Sequence, residues 1–302
     1  MRIEQKATII SSGTAALLVT IKMVVGVMSG SVAILASAID SFLDLLVSLF
    51  NYFALHHSEK KADKKFNFGR GKLEALAAVI EGTIISASAI FILYNAVMKL
   101  LHPEEIAYMT LSLVVMGISI LFTTALVLYL INIARKTGNL VIRADALHYE
   151  TDLYTNGAIL VALGVIHYTG FGIIDPILGI AITFYMIYSA YPIIKEGLLM
   201  LMDIALDDDE IKKIEHYLDG VDDINGYHRL STRRSGSDIF ISVHVVFNVS
   251  ISLFDAHRVT DRIEEDFQKL FKDERVHSIV HMDPYDDSDV NPYELDIEDE
   301  IL

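Results

Sequence analysis

From Ile106 to Ala134 the chain carries no Asp, Glu, Lys, Arg or His. A helix needs ~20 apolar residues to cross the hydrocarbon core of a bilayer, so this stretch is long enough to span a membrane. Comparable apolar runs fall at roughly 8–28, 32–55, 76–101, 108–133, 145–167 and 174–196, which predicts a polytopic α-helical membrane protein with six transmembrane helices. The first run is long and lacks a small-residue cleavage site, so it reads as a span and not as a removable signal. Cysteine is absent, which excludes disulfides and thiolate metal sites.

The connections sort by charge. The segment between spans 2 and 3 carries Lys60, Lys61, Lys64, Lys65, Arg70 and Lys72, that between spans 4 and 5 carries Arg135, Lys136 and Arg143, Lys195 lies at the end of span 6, and Arg2 and Lys6 precede span 1. Positively charged connections stay on the cytoplasmic side, so both termini are expected there and the protein is expected in the cell's inner membrane. Residues 1–202 hold 14 acidic and 14 basic residues, so the whole net charge of −16 falls on residues 203–302. This divides the chain into a neutral six-helix transmembrane domain, 1–202, and an acidic soluble part. Acidic surface argues against nucleic acid as a partner.

The soluble part predicts an amphipathic helix from Asp207, two strands joined at Ser235-Gly236, a second helix with Phe254, Val259, Ile263, Phe267 and Leu270 near one face, and a short strand ended by Pro284. The order αββαβ suggests a ferredoxin-like α/β domain over 203–286. The eight acids and no bases from Asp286 onward suggest a solvated tail, 287–302.

Two apolar spans are interrupted by ionisable residues. Asp40 and Asp44 lie in span 2, and His148 and Asp152 lie in span 5. Each pair is spaced i, i+4 and so projects from one face of its helix. Ionisable groups in hydrocarbon persist when they face a partner, a cavity or an ion. Three carboxylates and one imidazole form a four-ligand N/O set suited to a divalent transition metal, with the histidine favouring Zn²⁺ and leaving Cd²⁺ or Fe²⁺ acceptable. The competing reading is an interhelical ion pair, but spans 3, 4 and 6 supply no lysine or arginine at that depth. Lys22 in span 1 is expected to snorkel to the outer face. Ligands must lose protons to bind metal, so a carrier exposing this site to each side in turn would exchange metal for protons. The alternatives are a membrane-bound metal sensor without transport and, last, an intramembrane metalloenzyme. A metalloenzyme would need an open coordination position.

SAIDSFLD, FGRGKLEALAA, RADALHYETDLYTNGAI, LMDIAL and HRLSTRRSG, with a downstream HMDP, together resemble the cation diffusion facilitator family, in its bacterial zinc and ferrous-iron efflux branch. The resemblance runs from about Ala7 to Asp286. It implies a homodimeric zinc/proton antiporter without enzymatic activity or organic cofactor, exporting metal from the cytoplasm. It maps the membrane transport site onto Asp40, Asp44, His148 and Asp152. It also implies a second, regulatory zinc site at the dimer contact of the soluble domain, at His228, His244, His257, His281 and Asp283, and a charge interlock between Lys72 and Asp203. Some relatives carry a further site in the connection between spans 2 and 3, built from an Asp and two His. Here Asp63 remains but Phe66 and Arg70 take the histidine positions, so that site is expected to be absent or weakened.

Overall fold

A computed structural model describes residues 2–29, 32–101, 110–169, 173–272 and 274–286. They form two compact units, Met1–Leu199 and Met200–Leu302. The tail expected at 287–302 lies outside the described residues.

The first unit is helical: α1 (Ile3–Ser29), α2 (Val32–Ser58), α3 (Lys72–Leu101), α4 (Thr110–Thr137), α5 (Leu140–Thr169) and α6 (Ile174–Leu201). Each helix reaches beyond its apolar run at the end nearest a basic segment. Hydropathy marks only the stretch that hydrocarbon could hold, whereas the backbone hydrogen-bond ladder continues into residues with polar partners. Among the described residues, α1, α3, α4 and α6 are long and apolar enough to cross a membrane. The remaining two, α2 and α5, are the helices that carry the interrupting charges.

The sequence fixes where α5 begins. Gly138 takes φ +64° and ends α4, its N–H donating to the Ala134 carbonyl at 2.8 Å; glycine adopts this left-handed conformation without a Cβ clash. Asn139 then caps α5, accepting from the Ile142 N–H at 3.1 Å and donating to Glu74 Oε2 at 2.7 Å. His148 and Asp152 are therefore placed two and three turns into a helix whose start is anchored to α3.

Packing in this unit relies on small residues. Ala78, Ile85 and Ala89 of α3, Leu140, Ala144 and Leu147 of α5, and Met186, Ala190 and Ile193 of α6 form one buried cluster. Small side chains let helix backbones approach closely in a membrane. At Gly197 a Cβ would lie 2.6 Å from Val79 Cγ2 and 3.1 Å from the Ala75 carbonyl oxygen. Gly197→Ala is expected to destabilise the α3–α6 contact by about 1–3 kcal/mol, as overpacking does, read as a lower melting temperature of the purified protein. An unchanged melting temperature would show that these helices separate at no cost.

The second unit runs α7 (Asp208–Asp219), β1 (Gly226–Ser235), β2 (Asp238–Val246), α8 (Leu253–Leu270) and β3 (Arg275–Asp283), the αββαβ order read from the sequence. The strands lie in the order β1-β2-β3, with β1 antiparallel and β3 parallel to β2. Gly236, at φ +59°, turns β1 into β2. Strand alternation puts Ile239, Ile241, Val243 and Val245 on one face, where they bury against Ile214 and Leu218 of α7 and Val259, Ile263 and Phe267 of α8. The opposite face of the sheet carries Phe240, Ser242 and His244.

Candidate metal centre

In the helical unit, His148 of α5 meets Asp44 of α2. His148 Nε2 lies 3.3 Å from Asp44 Oδ1 and 3.8 Å from Asp152 Oδ2. One ligand atom from each of Asp44, His148 and Asp152 lies within 4.8 Å of the other two. One turn earlier on α2 stands Asp40, whose side chain lies outside the described ones. The three side chains are partly covered and border a cavity of ≈ 620 Å³ whose lining also includes Lys22, Ser41 and Asn156. The cavity follows α5 from His148 to Asn156 and α3 from Ile84 to Ile92. At the edge of the cavity, which Tyr149 also lines, Ser48 of α2 and Tyr149 of α5 share a hydrogen bond at 2.7 Å.

Lys22 corrects one expectation. It does not reach outward along the surface. It is 8% exposed, and its ammonium donates to Ser41 Oγ at 2.7 Å, in the wall of the same cavity. The reason is local: Ser41 of α2 offers the ammonium an acceptor inside the helical unit. A cation that spans 3, 4 and 6 do not place at that depth is thus present on α1, in the wall of the same cavity. Glu81 was also missed by the sequence reading. It lies 1% exposed inside α3, and its signal was the one that revealed Asp44, a carboxylate within an apolar run.

The soluble unit gathers a second group. Asp283, at the end of β3, faces three imidazoles: its Oδ2 lies 3.0 Å from His228 Nε2 and 2.9 Å from His244 Nδ1, and its Oδ1 lies 3.1 Å from His281 Nε2. The rings themselves form a row, with His228 and His244 centroids 5.0 Å apart and His244 and His281 4.4 Å apart. The sheet register explains two of these neighbours, since His244 pairs with both His228 and His281. His228 needs one further device. The register shifts between His228 and Ser231, with Arg229 at φ +51°. Ser231 and Arg233 pair with Ser242 and Phe240 on the open face, so unbroken alternation would turn His228 into the core. The extra residue of the bulge returns it to the open face, a bulge re-aiming a side chain. His257 is not brought to this group. It lies on the exposed side of α8, with Nδ1 3.7 Å from Asp261.

In the basic connection, Asp63 accepts from the N–H groups of Lys65 at 2.8 Å and Phe66 at 2.9 Å and from the Arg70 guanidinium, which also stacks over the Phe66 ring. The Phe66 and Lys65 N–H groups, with Arg70 after them, hold the Asp63 carboxyl below the usual carboxylate range. Its oxygens already serve donors, and Arg70 offers a cation where a ligand would be needed. Lys72 opens α3 in the first unit. Asp203, in the second, accepts from Arg233 Nη1 at 2.9 Å and takes φ +63°.

Comparison with known proteins finds matches over nearly the whole chain. Residues 8–202 match the cation efflux transmembrane domain, and residues 206–285 match the cation efflux protein cytoplasmic domain. The cation-efflux pump FieF of Klebsiella pneumoniae is 36% identical over 283 residues, covering 94% of this chain and 93% of its own length. That of Citrobacter koseri is likewise 36% identical, and that of Escherichia coli 35%, with the same coverage. With one domain of the family matched on each unit and relatives aligned over nearly its full length, the chain belongs to the cation efflux family of multi-pass membrane transporters.

Proposed function

We propose that this protein exports a divalent transition metal from the cytoplasm in exchange for protons, with zinc the preferred ion and Cd²⁺ and Fe²⁺ accepted. The observation that carries this reading is the meeting of Asp44, His148 and Asp152 at a cavity inside the helical unit. Asp40, one turn before Asp44, completes the ligand set of three carboxylates and an imidazole. That mixed N/O set suits zinc better than an all-carboxylate site would. Metal displaces protons from these groups when it binds, and their return when the site faces the other side drives the exchange.

In this reading all six helices of residues 1–202 cross the inner membrane, with α2 and α5 tolerated there because their charges face one another. The basic segments and both termini lie in the cytoplasm. The cavity then opens toward the outer side, and the Ser48–Tyr149 hydrogen bond lies on its cytoplasmic side. Residues 203–286 form a ferredoxin-like regulatory domain, and 287–302 a solvated tail. His228, His244, His281 and Asp283 hold regulatory zinc there. His257, left apart on α8, serves metal shared with a second copy, so metal draws two acidic domains together within a homodimer. Lys72 and Asp203 form a charge interlock that aids packing of the homodimer.

The test is uptake by purified protein in sealed vesicles, with Zn²⁺, Cd²⁺, Fe²⁺ and Mn²⁺ in competition and a pH-sensitive dye inside. Export by exchange predicts zinc uptake matched by proton efflux and enhanced by an imposed pH gradient. Metal binding without uptake would favour the sensor reading, and uptake indifferent to the gradient would remove the proton.

A further inference from the structure

Beyond the transport ligands lies a second polar cluster that the exchange mechanism leaves unused. Asn51 of α2, Glu81 of α3 and Asp145 of α5 are 0%, 1% and 0% exposed. Asn51 Nδ2 donates to Glu81 Oε2 at 2.9 Å and reaches Asp145 Oδ1 at 3.4 Å. The Ser11 and Ser48 hydroxyls also approach Asp145. Three oxygens of the cluster, Asn51 Oδ1, Glu81 Oε1 and Asp145 Oδ2, are buried with no hydrogen-bond partner among the described residues. Buried polar atoms are ordinarily satisfied, and three such acceptors in one cluster call for a shared positive partner. A single proton bridging the carboxylates would answer two of them. A cation answers all three and neutralises both carboxylates, and oxygen-only donors suit a hard divalent ion.

The position gives the cluster a role. Asn51 lies seven residues beyond Asp44 on α2, ~10 Å along the axis at 1.5 Å per residue. Asp145 lies three residues before His148, and Glu81 precedes the part of α3 that lines the cavity. The cluster is thus on the far side of the Asp44–His148–Asp152 group from the cavity, toward the basic connections. We propose that Asn51, Glu81 and Asp145 form a second divalent-cation site within the helical unit, a way station between the cytoplasm and the transport ligands. Its direction of use rests on the export reading; its capacity to bind does not.

The test uses full-length protein carrying Asp44→Asn, Asp152→Asn and Asp283→Asn, which disables both ligand groups described above, with bound Mn²⁺ counted by electron paramagnetic resonance. One Mn²⁺ per chain is expected to remain, and adding Glu81→Gln, which keeps the side-chain shape, is expected to weaken it at least tenfold. If Glu81→Gln fails to fold, as judged by size exclusion, Asp145→Asn decides by the same measurement. No bound Mn²⁺ in the folded triple variant assigns the pair to a shared proton and overturns the proposal, as does binding indifferent to Glu81→Gln and Asp145→Asn. In the otherwise unaltered protein, Asp44→Asn should remove one Zn²⁺ per chain. Failure there rejects the transport site and leaves the Mn²⁺ result standing on its own.

Discussion

Asp44→Ala is expected to lower zinc-driven proton flux by at least ~100-fold. Among the described residues, Asp44 Oδ1 is the nearest carboxylate oxygen to His148 Nε2, at 3.3 Å, and it bridges α2 to α5. Changes in residues that merely support metal ligands cost about 10–100-fold in affinity or activity, so loss of a ligand itself should exceed that range. Its removal also leaves Asp152, at 3.8 Å, as the one carboxylate beside His148 among the described residues, which weakens the discrimination of a doubly charged ion. Asp44→Asn separates the two readings of this residue. The amide preserves the volume and can still hydrogen-bond the imidazole, but it carries no charge. If Asp44 is a metal ligand, flux in vesicles falls as far with asparagine as with alanine. Flux above a tenth of the parent level in Asp44→Asn, with the protein folded, would make the contact a structural hydrogen bond and sink the transport site.

Asp283→Ala is expected to weaken zinc binding by the soluble unit at least ~100-fold, again beyond the loss seen when a supporting residue is changed. One carboxylate, 7% exposed, faces His228, His244 and His281 through its two oxygens. Alanine removes a ligand and also the acceptor that orients three rings. The measurement is calorimetric titration of full-length protein carrying Asp44→Ala, so that the membrane ligands contribute little. Full retention of affinity would show that the imidazole row owes its order to the sheet and not to a metal-binding function. His257→Ala should leave the affinity of a single chain unchanged, because His257 stands on α8 away from the row. It should weaken zinc-dependent association of two copies, measured by light scattering.

The helical plan was legible because hydropathy is a one-dimensional property. Each apolar run became a helix, and only the ends differed, where polar partners such as Asn139 and Glu74 extend the ladder past the apolar stretch. The charged pairs of α2 and α5 were legible for the related reason that i, i+4 spacing fixes a shared face before any packing is known. The soluble unit's order of elements was equally local, set by the acidic start of α7, the glycine at 236 and the alternation in β2.

What escaped was the company each charge keeps. Nothing in the spacing of Lys22 says that its ammonium turns inward to Ser41, because that depends on which helix lies beside α1. Glu81 carried the same signal as Asp44 but joins Asn51 and Asp145 only when α2, α3 and α5 converge. His228 shows the limit most sharply. Its neighbours in sequence give it the parity of a core residue, and a one-residue bulge at Arg229 sets it beside His244. The sequence by itself determined which segments are helices or strands and which residues are able to bind metal, since both follow from hydropathy and side-chain chemistry within a few residues. Only the tertiary structure decided which of those donors meet, since helix neighbours and strand register are set by packing between segments far apart in the chain.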